Sequence, residues 1–160
     1  MLGLYVFVAL SFACTTGSVC AQNTQTGTPH TVQNMEFVLP DTWEFIKGSG
    51  TKTFRSEEFS QKGSTVDLIA DVERRKADGV NNSDCVREIT SFAGGSWNRW
   101  TENGSAIARH SESDKNGNIR RVSYIGCSKQ ATWSLVFFSS EPGTALVRQT
   151  RSVVKTIRNE

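Results

Sequence analysis

Few residues in this chain have the type and spacing to do chemistry. Cys85 is the third residue of the stretch "SDCVREITSFAGGSWNRW", where a helix N-terminus would lower a thiol pKa and favour a nucleophile. A nucleophile needs a base, and the chain has two histidines. His30 lies in a polar N-terminal stretch. His110 shares a strand face with Ala106 and Ala108 and reads as a surface or rim residue. There is no Gly-x-Ser-x-Gly elbow, HExxH or CxxC. Asp67, Asp71 and Glu73 alternate along one strand, a spacing that suits a hard cation or simply the wet side of that strand, and the wet side is expected. "KGSGTK" lacks the following helix and Lys-Ser/Thr pair of a phosphate cradle, so it reads as a hairpin loop. No cofactor or metal is expected, and hydrolysis by Cys85 or the acidic strand is the least favoured function.

The compartment changes what Cys85 can do. Residues 1–21 carry no charged side chain, and the apolar run from Leu2 to Ala13 has the length of a secretory h-region. It is short of the roughly 20 apolar residues a membrane span needs. Val19-Cys20-Ala21 suits signal peptidase, which predicts a signal peptide over 1–21, export to the periplasm or the extracellular medium, and no membrane segment afterwards. A lipid anchor on Cys14 or Cys20 is the rival, although neither cysteine has a Leu three residues before it. Cys85 and Cys127 then remain, and two cysteines in an oxidising compartment pair. The disulfide predicted between them closes about forty residues, worth roughly 4 kcal/mol by chain entropy.

The elements that must position these residues follow from periodicity. Residues 22–33 are polar and Thr-rich and read as a flexible leader, leaving 34–160 as a single domain. Phe37 and Leu39, then Trp43 and Phe45, then "TKTFRS" read as short strands. "STVDLIADVE" puts Val66, Leu68, Ala70 and Val72 on one face. After a cap at Ser83 or Asp84, the residues Cys85, Ile89, Phe92, Ser96, Trp97 and Trp100 recur at helical spacing and predict one helix with a buried stripe. Asn103-Gly104 ends it, and Asn116-Gly117 joins two strands as a hairpin. "TWSLVFFSS" is apolar on both faces and is expected at the centre of the sheet. A helix opened by Pro142 runs from there, with Arg148, Arg151, Lys155 and Arg158 on its wet face. The expected fold class is α+β, a mainly antiparallel sheet with helices packed on it.

The order of these elements and the Phe37, Pro40, Trp43 spacing in "FVLPDTW" resemble the Mog1/PsbP-like group, including its small DcrB-like envelope proteins. The resemblance covers most of residues 34–158 as an element order. It implies an α/β/α sandwich used for accessory and partner-binding roles, and carries no catalytic residue onto this chain.

A charge of +2, from 18 Lys and Arg against 16 Asp and Glu, gives no argument for nucleic acid. The expected function is binding of another protein by an exported, non-enzymatic domain, for example as an immunity protein against an envelope-acting toxin. A lipid or small-ligand accessory protein is the alternative, with a pocket between sheet and helix lined by Phe92 and Trp97 and reached past Gly94-Gly95. Expected partner-binding residues are Lys47, Ser49 and Lys52 of the first loop, Asp114 and Lys115 of the hairpin turn, and Trp97, Arg99 and Trp100, since Trp and Arg dominate interface hot spots. Core packing is the competing role for the two tryptophans. Asn81 and Asn103 head glycosylation sequons. Oligomeric state is left open.

Overall fold

The structure is a computed structural model that describes residues 27–76, 80–141 and 145–159. The signal segment, Cys14, Cys20 and Pro142 lie outside the described residues. The elements are β1 (Thr28–Val32), β2 (Met35–Leu39), β3 (Trp43–Gly50), β4 (Phe54–Gln61), β5 (Val66–Arg74), α1 (Asn82–Ala93), β6 (Asn98–Glu102), β7 (Ser105–Ser113), β8 (Ile119–Cys127), β9 (Ala131–Ser139), α2 (Ala145–Val154) and β10 (Arg158–Asn159).

Seven strands form one antiparallel sheet in the order β3-β4-β5-β9-β8-β7-β6. The two-faced apolar strand β9 is its central member, as its sequence requires. On one face, Val66, Leu68, Ala70 and Val72 of β5 join Phe59, Val122, Tyr124, Trp133, Leu135 and Phe137 in the main core. Gly126 is part of that packing: a Cβ there would lie 2.1 Å from the Trp133 ring. The core is closed by α2, through Leu146, Val153 and Val154, and by a second sheet, β1-β2-β10. Met35, Phe37 and Leu39 of β2 are buried there, and Phe37 meets Phe59 edge-on at 5.9 Å.

The α+β expectation, with helices as the layers of an α/β/α sandwich, is corrected. Among the described residues, ten strands in two sheets and two short helices make this a β-rich fold, in which the layer opposite the main sheet is itself partly sheet. Three local events produce the difference. First, the helical spacing from Cys85 to Trp100 is interrupted at Gly94 and Gly95, whose φ of 67° and 77° lie in the left-handed region. The helix stops at Ala93, and Trp100 belongs to a strand. Second, the C-terminal helix ends at Val154, and the chain turns back so that Arg158 pairs with Glu36. Lys155 and Arg158 are therefore not on it. Third, residues 28–32 of the expected leader form β1, with His30 5.0 Å from Phe59.

The cap of α1 falls earlier than expected. Asn81 Oδ1 accepts from the Asp84 N–H at 2.9 Å, so Asn81 supplies the first-turn acceptor. On the second face of the large sheet, α1 packs chiefly on β7 and β8. A small cluster of Cys85, Val86, Ala106, Ala108 and Cys127 fills that interface.

Candidate functional site

Register places the expected binding residues apart. β3 and β6 are opposite edges of the sheet, six strand spacings or roughly 29 Å from each other. Lys47 and Ser49 lie on β3, with Lys47 paired to Glu58 at 3.3 Å, and Lys52 follows in the exposed turn to β4. Trp97, Arg99 and Trp100 lie at the β6 edge. Their alternation sends the two tryptophans to opposite faces. Trp97 leans on the small cluster under α1, with its Nε1–H donated to the Gly94 carbonyl at 2.7 Å and its ring 5.2 Å from His110. Arg99 donates to Thr90 Oγ1 at 2.7 Å. Trp100 turns to the main core, edge-on to Tyr124 at 6.4 Å, and donates to Glu102 at 3.0 Å. The Arg151 guanidinium covers its ring at 4.0 Å and bridges Glu102 at 3.1 Å.

Asp114 and Lys115 occupy the β7–β8 turn, away from both groups. Asp114 is a turn device. Burial opposes its charge, but the backbone N–H groups of Asn118 and Asn116, the Asn118 amide and Arg120 outweigh that and hold its pKa at about 2.

The groups singled out for chemistry are held in structural roles. Cys85 and Cys127 form a disulfide with their Cα atoms 6.2 Å apart, which ties α1 to β8 and removes the thiol a nucleophile would need. His110 Nδ1 lies 2.8 Å from the Ser96 carbonyl and Gly95 sits against its ring. Burial lowers the pKa of His30, with Glu57 opposing. Among the described residues no three metal-ligating side chains converge. Asp67, Asp71 and Glu73 stay spread along β5, successive members about 7 Å or more apart. Asn103, head of one sequon, donates its amide to the Lys155 and Ile157 carbonyls.

What periodicity did not show is the half of the second sheet face that α1 leaves uncovered. Its floor can be read in rows across the strands. Asp71 stands beside Ser134 and Ile125; Ile69 beside Val136 and Ser123; Asp67 beside Phe138 and Arg121. Along β5 and β9 these side chains are half-buried, whereas their alternating neighbours face the main core and are buried. Ile69, Val136, Phe138 and Ile125 thus make an apolar floor open to solvent.

α1 forms one wall. Its Cys85 flank looks toward β9, because Cys85 Sγ lies 3.8 Å from Thr132 Oγ1. Its Thr90 flank looks toward β6, because Thr90 takes the Arg99 hydrogen bond. Phe92 lies seven residues after Cys85, two turns along and on the same flank. It is 85 % exposed, the most exposed large apolar side chain among the described residues. The sequence assigned it to the buried stripe. Its three-residue step from Ile89 fits that stripe, but Val86 and Thr90 define the buried direction and leave Phe92 at the margin.

The expected pocket between sheet and α1 is replaced by the packed disulfide cluster. A cavity of about 150 Å³ lies instead on the other side of the sheet, lined by Trp43, Gln61, Phe137, Gln149 and Ser152 among others.

Fold and site together define an antiparallel β domain with one closed core face and one half-open face walled by a disulfide-tethered helix. No family model matches the chain, and no curated protein matches it significantly. Its fold is similar to a crystal structure of a protein from Bacteroides thetaiotaomicron VPI-5482, with a TM-score of 0.58 and 13 % identity. The match covers 84 % of this chain and 48 % of that one, so this chain spans about half the length of the protein it resembles. At that identity the likeness concerns the fold alone.

Proposed function

We propose that this chain is a non-enzymatic binding protein of an oxidising compartment, and that it holds another protein on the half-open sheet face. Phe92 carries the proposal. A phenylalanine 85 % exposed on a helix fixed by a disulfide contributes little to the fold, and an exposed aromatic beside an apolar floor is what a partner's side chains bury. The disulfide supports the compartment, since such bonds persist where the surroundings are oxidising. No helix among the described residues is long and apolar enough to cross a membrane. Inhibition of an envelope-acting toxin is one form this function takes.

The test is photo-crosslinking in the native cell, with the crosslinker placed at Phe92 or, on the other side of the molecule, at Arg148. The expected result is one partner captured from Phe92 and not from Arg148, and lost when Ile69→Asp is added. Equal capture from both positions, or capture indifferent to Ile69, would overturn the proposal.

A further inference from the structure

We infer that the segment occupying the half-open face is a basic, apolar stretch of a partner protein, an inference that rests on the docking role just proposed. The floor is acidic as well as apolar. Asp67 and Asp71 bracket Ile69, with Glu73 beyond them, and none of the three has an ion pair among the described residues. Asp71 accepts from Ser134 Oγ at 3.3 Å. Glu88, exposed on α1 four residues before Phe92, is likewise without an ion pair there.

Three cations near this face are held in ion pairs, while Lys76 and Lys129 are exposed at its Glu73 end. Lys47 pairs with Glu58, Lys62 with Glu44, and Arg121 with Glu112. Arg75, at the end of β5, donates to Asn82, Val80 and Ser128. The exposed cations Arg148 and Lys155 belong to α2 and the turn after it, across the sheet.

Desolvation decides what fits. Ile69, Val136 and Phe138 cannot be covered without also covering Asp67 and Asp71, which register places directly beside them. A carboxylate taken out of water without a countercharge carries a desolvation penalty large enough to cancel the gain from the apolar floor. An occupant that brings Lys or Arg to those carboxylates escapes that cost and is steered to the face at long range.

The test uses the disulfide-intact domain and two synthetic decapeptides, one alternating leucine with lysine and the other leucine with glutamate. Amide chemical shifts map where each peptide binds. The lysine peptide is expected to shift Ile69, Val136, Phe138 and Phe92, and to weaken at least fivefold between low and physiological salt. The triple variant Asp67→Asn, Asp71→Asn, Glu73→Gln, which keeps the size and most hydrogen-bonding capacity of each side chain, should weaken it about tenfold. Equal binding of both peptides at this face would overturn the charge inference and leave the docking role standing. Binding of neither peptide here, or binding of the lysine peptide elsewhere, would remove both.

Discussion

Arg151 of α2 lays its guanidinium 4.0 Å over the ring of Trp100 on the edge strand β6, and Glu102 joins the two by accepting from both. The contact fastens the outermost strand to the helix that closes the core. Trp100→Ala removes a large half-buried ring and should cost about 3 kcal/mol. Arg151→Ala should cost about 1 kcal/mol. The double variant in urea unfolding should show a coupling of about 1 kcal/mol, and strict additivity would mean that the stacking contributes nothing.

The Cys85–Cys127 bond joins residues 42 apart in sequence. Replacing both by alanine should lower stability by about 3 kcal/mol. Hydrogen exchange should show α1 opening before the central strands, because its remaining apolar contacts are few: Val86 and Ile89 against Ala106 and Ala108. Uniform loosening of sheet and helix would contradict the picture of α1 as a separately tethered wall.

His30 gives β1 a pH dependence. Burial between Phe37 and Phe59 holds its pKa below the usual 6.5, with Glu57 partly opposing. The unfolded chain then binds the proton more readily than the folded one, so stability is full above pH 6.5 and falls as the pH drops from there through the folded pKa. β1 amides should exchange faster at pH 5.5 than at pH 7.5, after correction for intrinsic rates, and His30→Leu should remove the difference.

Asp114 acts in a lower window. With a folded pKa of about 2 against the ordinary 3.8, its contribution is present above pH 4 and lost between about 4 and 2. Its Oδ1 accepts the Asn116 and Asn118 N–H groups at 2.8 and 3.0 Å. Carboxyl titration by NMR should place its midpoint near 2, with those two amides losing protection over the same range. A midpoint near 4 would show that the turn does not favour the carboxylate.

Gly126→Ala should be among the most damaging single-methyl changes. The added Cβ would sit 2.1 Å from Trp133, a ring only 1 % exposed with little room to move. Overpacking of this kind costs about 3 kcal/mol. An unchanged melting temperature would show that Trp133 can repack.

Much of the fold was legible because it rests on local rules. β5 and β9 follow period-two burial, the Asn116-Gly117 turn joins β7 to β8, and Cys85 meets Cys127. The misreadings share one cause. Trp97 and Trp100 continue a helical spacing that two left-handed glycines interrupt, and β1 and β10 are strands only because β2 offers hydrogen bonds on both edges. The site was less legible still. Phe92 and Val136 are apolar side chains, and nothing in a side chain's type says whether a second layer covers it.

The sequence by itself determined which residues alternate, where the chain turns and which cysteines are present to pair, because those depend on backbone preferences and side-chain polarity over a few neighbours. The tertiary structure decided which faces are covered. Strand order puts Lys47 and Trp100 at opposite edges, brings Arg151 over Trp100, and centres α1 on β7 and β8, leaving Ile69, Val136 and Phe138 open. Burial is a property of the packed layers, set by contacts between distant segments, and no local pattern contains it.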